Sequence, residues 1–162
     1  MKRVRIAPLV GSMLLVGGIG TTTLVLSELG SVRLHAAAAQ QAAAAGARTV
    51  WDGVYTAEQS ARGKEVATST CDACHGEGLA GSDIGPGLRG EDFKSGWVGR
   101  TVGDLFEKIH TTMPANSPGS LKPQQSADLV AYIFKLNEFP EGTTELPSET
   151  AQLGAISISA KK

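Results

Sequence analysis

Cysteine is scarce in this chain of 162 residues: Cys71 and Cys74 are the two it has. Neither directly follows the apolar N-terminal run, which excludes a lipidated-cysteine anchor. Basic charge is not in excess either. The formal net charge is −1, and beyond residue 39 the 11 basic and 15 acidic residues leave −4, so the basic footprint that nucleic-acid binding needs is missing. No segment alternates apolar and polar residues over the length of a strand, which points to an all-α fold. No second grouping of nucleophile, base and metal ligands stands out, and the remaining carboxylates are scattered as on a solvated face.

What is present is concentrated in Cys71-Asp72-Ala73-Cys74-His75. A C-x-x-C-H run reads as an attachment site for c-type haem, with two thiols for the two vinyl groups of one porphyrin and an adjacent imidazole for the iron. Two other readings fit less well. A thiol-disulfide switch belongs at a helix N-terminus near a βαβ pattern, whereas here a helical stretch runs into Cys71. A zinc site needs four ligands, usually as two spaced pairs, and only His110 is on hand for the second half.

The N-terminus reads as an export signal. Lys2, Arg3 and Arg5 precede an uncharged apolar stretch from Ile6 to Ser27, and small residues from Ala36 to Ala39 could hold a cleavage site. The run is long enough for an uncleaved membrane anchor, but Gly17, Gly18, Gly20 and Thr21 to Thr23 dilute it and favour cleavage. The reading is therefore a periplasmic protein, anchored to the inner membrane only if residues 1–39 are retained. Residues 40–50 continue an Ala/Gln-rich tract expected to be a flexible spacer. Residues 141–162 show no sustained periodicity and are expected to be a loosely ordered tail.

Residues 51–140 form one small domain on this reading, with three main helices separated by glycine-rich loops. The first starts at Thr56-Ala57-Glu58-Gln59, a capping-box pattern, and runs to about Thr70. The second has Thr101 as its cap and Val102, Leu105, Phe106 and Ile109 on one face, ending near Thr111. The third opens with Pro123 and carries Leu129, Tyr132, Ile133 and Leu136 on one face before Asn137 and Pro140 end it. Between residues 76 and 99 eight glycines suggest a loop able to wrap closely around a flat ligand. Beyond the export segment, which contains Met1 and Met13, Met113 is the single thioether, and Pro114 holds its backbone extended. It is thus the candidate for the sixth iron position, with His110, one turn earlier, as competitor.

These features together closely resemble a class I cytochrome c across residues 51–140. The resemblance rests on Gly63 eight residues before Cys71, the C-x-x-C-H run, Gly85-Pro86-Gly87-Leu88, Met113-Pro114 and Leu129-Val130-Ala131-Tyr132. It implies one haem c held by thioethers to Cys71 and Cys74, iron ligation by His75 and Met113, and the Pro86 carbonyl as acceptor for the His75 ring. It also implies a close crossing of the first and last helices at Gly63 and Tyr132, although Ala67 stands where the family usually has an aromatic. Trp97, and less so Tyr55, are candidates to pack on the porphyrin. A weaker similarity, in Trp51-Asp52-Gly53-Val54-Tyr55 and Gly103-Asp104-Leu105-Phe106, is to cytochromes associated with periplasmic sulfur-compound or quinoprotein alcohol dehydrogenases.

The expected function is a monohaem electron carrier with no catalytic residues of its own. Its partners would be redox proteins such as a periplasmic dehydrogenase, a terminal oxidase or another cytochrome. The alternatives are a cytochrome subunit dedicated to a periplasmic dehydrogenase and a ligand-binding or peroxidatic haem protein. The acidic balance of the exported part leads to an expectation of electrostatic steering toward a basic partner.

Overall fold

The computed structural model describes residues 48–160; the export segment and most of the spacer read from the sequence lie outside them. The chain is helical, in the order β1 (Arg48–Thr49), α1 (Ala57–Thr70), α2 (Asp72–His75), a 3-10 turn (Glu77–Leu79), α3 (Gly90–Trp97), α4 (Val102–Thr112), α5 (Pro123–Leu136), α6 (Thr150–Leu153) and β2 (Ile156–Ser157). The two short strands pair in parallel, Arg48 with Ile156 and Thr49 with Ser157. They leave the all-α class unchanged. Among the described residues no helix is long and apolar enough to cross a membrane.

The three main helices start and stop where local chemistry dictates. Thr56 is in extended conformation, and its hydroxyl accepts from the Gln59 amide N–H at 3.2 Å, capping α1. The reciprocal arm expected of Gln59 does not form. Its carboxamide instead reaches across the fold, donating to the Leu146 carbonyl at 3.0 Å and accepting from the Leu146 N–H at 2.8 Å. At α4 both arms of the box close: Asp104 N–H donates to Thr101 Oγ1 at 3.1 Å and Thr101 N–H donates to Asp104 Oδ2 at 2.9 Å. The Thr101 N–H, and then the Thr101 hydroxyl donating to the same Oδ2 at 2.8 Å, hold the Asp104 carboxyl below its ordinary pKa. At α5 Pro123 fills the first turn, where its missing N–H costs nothing.

Helices α1 and α5 cross at Gly63. A Cβ placed there would lie 1.8 Å from the Asp128 carbonyl oxygen and 2.9 Å from Tyr132 Cβ, so only glycine allows this approach. Ala67, one turn on, is fully buried, and a small side chain there suits the tight crossing. Arg62 closes the flank: its guanidinium donates to both Asp128 oxygens at 3.1 and 3.0 Å and to Glu145 at 3.0 and 2.9 Å. Leu105, Phe106 and Ile109 from α4 and Leu129, Ile133 and Phe134 from α5 fill the centre of the core. Phe139 packs edge-on to Phe134 at 5.4 Å and to Trp51 at 4.8 Å.

Two expectations need correction. The glycine-rich stretch is not all loop, because α3 forms within it. Phe93 is buried there, and Glu91 and Asp92 occupy the first turn, where the helix dipole favours acids. The segment after Pro140 is not loosely ordered. Leu146, Leu153, Ile156 and Ile158 are all buried, Gly142 N–H donates to the Tyr55 carbonyl at 2.7 Å, and Trp51 Nε1 donates to the Ser159 carbonyl at 3.0 Å. A Cβ on Gly103 would meet Gly154 N at 2.9 Å, so α4 and α6 touch backbone to backbone. The packed unit therefore includes Val50 at one end and the segment to Ile158 at the other, wider than residues 51–140.

Two outcomes follow for stability. Leu153→Ala should cost about 2–5 kcal/mol in urea unfolding, the range for truncating a buried leucine, while exposed Gln152→Ala should stay within about 0.5 kcal/mol. Tyr55, buried and donating to the Phe139 carbonyl at 2.7 Å, has its phenol pushed up to about 12 by burial and then by Glu141. Its folded pKa exceeds the unfolded value of about 10, so the stability it contributes is complete below that pH and is lost as pH rises toward the folded value. Unfolding free energies between pH 9 and 12 should fall more steeply for the wild type than for Tyr55→Phe.

Candidate functional site

Helix α1 delivers its last turn directly into the Cys-Asp-Ala-Cys-His run. Cys71 N–H donates to the Ala67 carbonyl at 2.8 Å, and the Cys71 carbonyl then accepts from Cys74 N–H at 3.0 Å and His75 N–H at 2.9 Å. This winds the five residues into one turn. Cys71 and Cys74, three apart, share a face of it, and both line an open cleft of about 220 Å³.

The glycine loop fixes the histidine. His75 Nδ1 lies 2.8 Å from the Pro86 carbonyl oxygen. A carbonyl can only accept, so Nδ1 carries the proton and Nε2 keeps its lone pair free for a metal. The approach depends on Gly85, where a Cβ would stand 3.1 Å from His75 Nδ1 and 2.9 Å from the Cys74 carbonyl oxygen. Gly76 and Gly81 adopt φ of 75° and 97°, turning the chain back so that Gly81 N–H reaches the His75 carbonyl at 2.6 Å. Ser82 Oγ donates to the Cys74 carbonyl, tying the loop to the motif a second time.

Met113 terminates α4 in extended conformation, its N–H donating to the Ile109 carbonyl at 3.1 Å, and it lines the same cleft as His75, Cys71 and Cys74. His110 does not line it. That ring stacks on Phe106 at 5.5 Å with Nδ1 3.2 Å from Ser126 Oγ. The two aromatic candidates also lie elsewhere. Trp97 packs against the core at the end of α3 with the Arg100 guanidinium 5.5 Å over its ring, and Tyr55 is engaged with Phe139, so neither lines the cleft. The walls come instead from Leu79, Leu88, Ile109, Leu121, Leu129 and Ile133. Ile109, Leu129 and Ile133 sit on the apolar helix faces visible in the sequence. Leu79, Leu88 and Leu121 sit in irregular segments with no period to mark them.

The donor set discriminates among cofactors. Burial, followed by Asp72 and Cys74, pushes the Cys71 thiol up to about 11, so it is a thiol and not a thiolate at neutral pH. That is unlike an activated redox cysteine. Among the described residues no three or more His, Cys, Asp and Glu side chains gather as a metal cluster, so a zinc site lacks its second pair. Two thiols on one turn, an imidazole with Nε2 free, one thioether and otherwise apolar walls fit haem c. Cys71 and Cys74 would hold its vinyl-derived carbons, while His75 and Met113 would offer nitrogen and sulfur to its iron.

The sequence model of the family described as cytochrome c oxidase, cbb3-type, subunit III matches residues 58–133. No curated protein matches the chain. Among solved structures, similarity is found to the sulfane dehydrogenase SoxCD from Paracoccus pantotrophus, at 20% identity and a TM-score of 0.47, covering 67% of this chain and 61% of that one.

With haem in the cleft, Met113→Ala should open a coordination position, lower the reduction potential and abolish the weak sulfur-to-iron absorption of the ferric form. His110→Ala should leave all three unchanged. The opposite pattern in redox titration and near-infrared spectra would transfer the ligand role to His110.

Proposed function

We propose that this chain is an exported carrier of single electrons between redox partners, with one covalent haem c and not itself an enzyme, a reading supported by the match of residues 58–133 to the sequence model described as cytochrome c oxidase, cbb3-type, subunit III. When bound, haem c supplies a one-electron ferric–ferrous couple. The protein's residues decide how that couple is used. Cys71 and Cys74 would tether the group by thioethers. His75, its Nδ1 proton held by the Pro86 carbonyl at 2.8 Å, would offer Nε2 to the iron, and Met113 would offer its sulfur. A histidine–methionine pair would raise the potential and leave no open position for oxygen or a substrate. The apolar walls would lower the local dielectric around the group and further tune the couple.

The observation that carries this reading is the meeting of the hydrogen-bonded His75 and Met113 in one cleft, with His110 outside it. Export rests on the sequence of residues 1–39, with its basic start and uncharged apolar run. On this reading the partners are periplasmic redox proteins, soluble or membrane-bound. Fractionation of cells with haem staining should recover the protein outside the cytoplasm; haem-loaded protein retained in the cytosol would overturn the location alone.

Attachment is tested directly. Produced together with a cytochrome c maturation system, the protein should keep its haem through denaturing electrophoresis, and Cys71→Ala with Cys74→Ala should abolish the stain. Freely titratable thiols in the mature wild-type protein would sink the haem reading.

A further inference from the structure

The Pro86 carbonyl that holds the His75 ring sits on a strap of irregular chain, and one buried side chain fixes the far end of that strap. At its entry the strap is bound by Ser82, whose N–H donates to the Gly85 carbonyl at 2.9 Å, and then by His75 itself. At its exit Leu88 N–H donates to the Leu79 carbonyl at 2.9 Å, and Asn137 supplies two more bonds. Its Nδ2 donates to the Leu88 carbonyl at 3.0 Å, and its Oδ1 accepts from Gly90 N–H at 3.0 Å. Nδ2 also donates to the Ile133 carbonyl at 2.8 Å, one turn back in α5. Asn137 is only 8% exposed, and its neighbours dictate how the amide lies, since one is a donor and two are acceptors. A carboxamide serves all three; a carboxylate has no proton to give and a hydroxyl has one.

Closing α5 does not need this side chain. The Ile133, Phe134 and Lys135 carbonyls already accept backbone N–H groups from Asn137, Phe139 and Glu138. Glu138 takes a φ of 60°, the left-handed region where glycine is the usual occupant, so the helix stops on a strained residue. That stop leaves the Asn137 carboxamide on the strap. Leu88 and Ile133, whose carbonyls it bridges, both line the cleft, whereas Asn137 does not.

We infer that Asn137 is a positioning residue for the redox site: by pinning Leu88 and Gly90 to the end of α5, it keeps the Pro86 carbonyl on His75 Nδ1. It thereby sets how strongly the imidazole would donate to iron. The inference rests on the electron-carrier reading and adds to it a residue outside the cleft. With the carboxamide gone, the Leu88 carbonyl and the Gly90 N–H lose their partner, and the strap is freer to lift from the ring. A looser acceptor leaves the imidazole a weaker donor, which favours ferrous over ferric iron.

The test uses haem-loaded wild-type protein with Asn137→Ala, Asn137→Ser and Leu153→Ala variants. Leu153 is buried but does not line the cleft, so its truncation lowers stability without touching the strap. Two quantities are read: the exchange of the His75 ring proton with deuterated solvent, followed by NMR in the ferrous form, and the reduction potential. Asn137→Ala should speed the exchange about tenfold or more, because local opening of the strap becomes easier. It should raise the potential by about 28 mV or more, which is a threefold change in the ferric–ferrous equilibrium at about 59 mV per tenfold for one electron. Asn137→Ser, whose hydroxyl can serve one carbonyl at most, should fall between, and it decides the matter where Asn137→Ala does not fold. Leu153→Ala should unfold at lower urea concentration with both quantities at wild-type values. Wild-type exchange in the Asn137 variants, a potential unchanged or lowered, or the same changes in Leu153→Ala would overturn the positioning role. Wild-type protein without covalent haem or a one-electron couple would overturn the carrier reading itself, and the spectra show that before any variant is compared.

Discussion

The close crossing of α1 and α5 at Gly63 is the constraint on which the site depends. The absence of a side chain there lets the α1 backbone lie against the Asp128 carbonyl. That contact sets the position of α1, and Cys71 follows its last residue, Thr70, directly. The same crossing sets Leu129 and Ile133 of α5 as a wall of the cleft that the Cys71–His75 turn enters. One missing methyl group therefore sets the position of the tethering thiols relative to the apolar surface the porphyrin would lie on. Arg62, bridging Asp128 and Glu145, locks the crossing from the solvent side, although its 43% exposed side chain makes the bridge a modest contributor beside the packing.

Much of this was legible in the sequence because it is encoded locally. Thr56, Thr101 and Pro123 mark helix starts through hydrogen-bonding and φ preferences that need no tertiary context. The spacing of Val102, Leu105, Phe106 and Ile109 marks one buried face. The motif residues carry their chemistry in their order. What could not be read was encoded across distance. Gln59 fits a capping box locally, yet its carboxamide satisfies the backbone of Leu146, 87 positions away. Leu146, Leu153, Ile156 and Ile158 have no helical period because they lie along a segment that packs against the existing core, so periodicity read them as a loose tail. Trp97 and Tyr55 were candidates because an aromatic can serve either a porphyrin or a core, and the sequence does not say which surface lies nearer.

The C-terminal segment also changes what kind of domain this is. A three-helix unit of this size buries little apolar surface, and a small domain of that kind is commonly held together by its cofactor. Here Leu146, Leu153, Ile156 and Ile158 add a second set of buried side chains, and β2 ties the C-terminal end to β1 ahead of α1. Both ends of the described chain are thereby joined away from the cleft residues. Part of the stability is moved into contacts that no cofactor touches.

The choice of partner for His75 bears on the potential. A carboxylate accepting the Nδ1 proton would enrich the imidazole in electron density and favour the ferric state; a backbone carbonyl such as that of Pro86 is neutral and does so less. As an iron ligand Met113 would work in the same direction, since a thioether donates weakly and favours the ferrous state relative to a second imidazole. The segments that flank the cleft, residues 80–88 and 113–121, carry one charged residue, Asp83, and so would add little negative charge to stabilise ferric iron. All three features would favour the reduced form, so a carrier built this way would receive electrons readily and release them to a more oxidising acceptor.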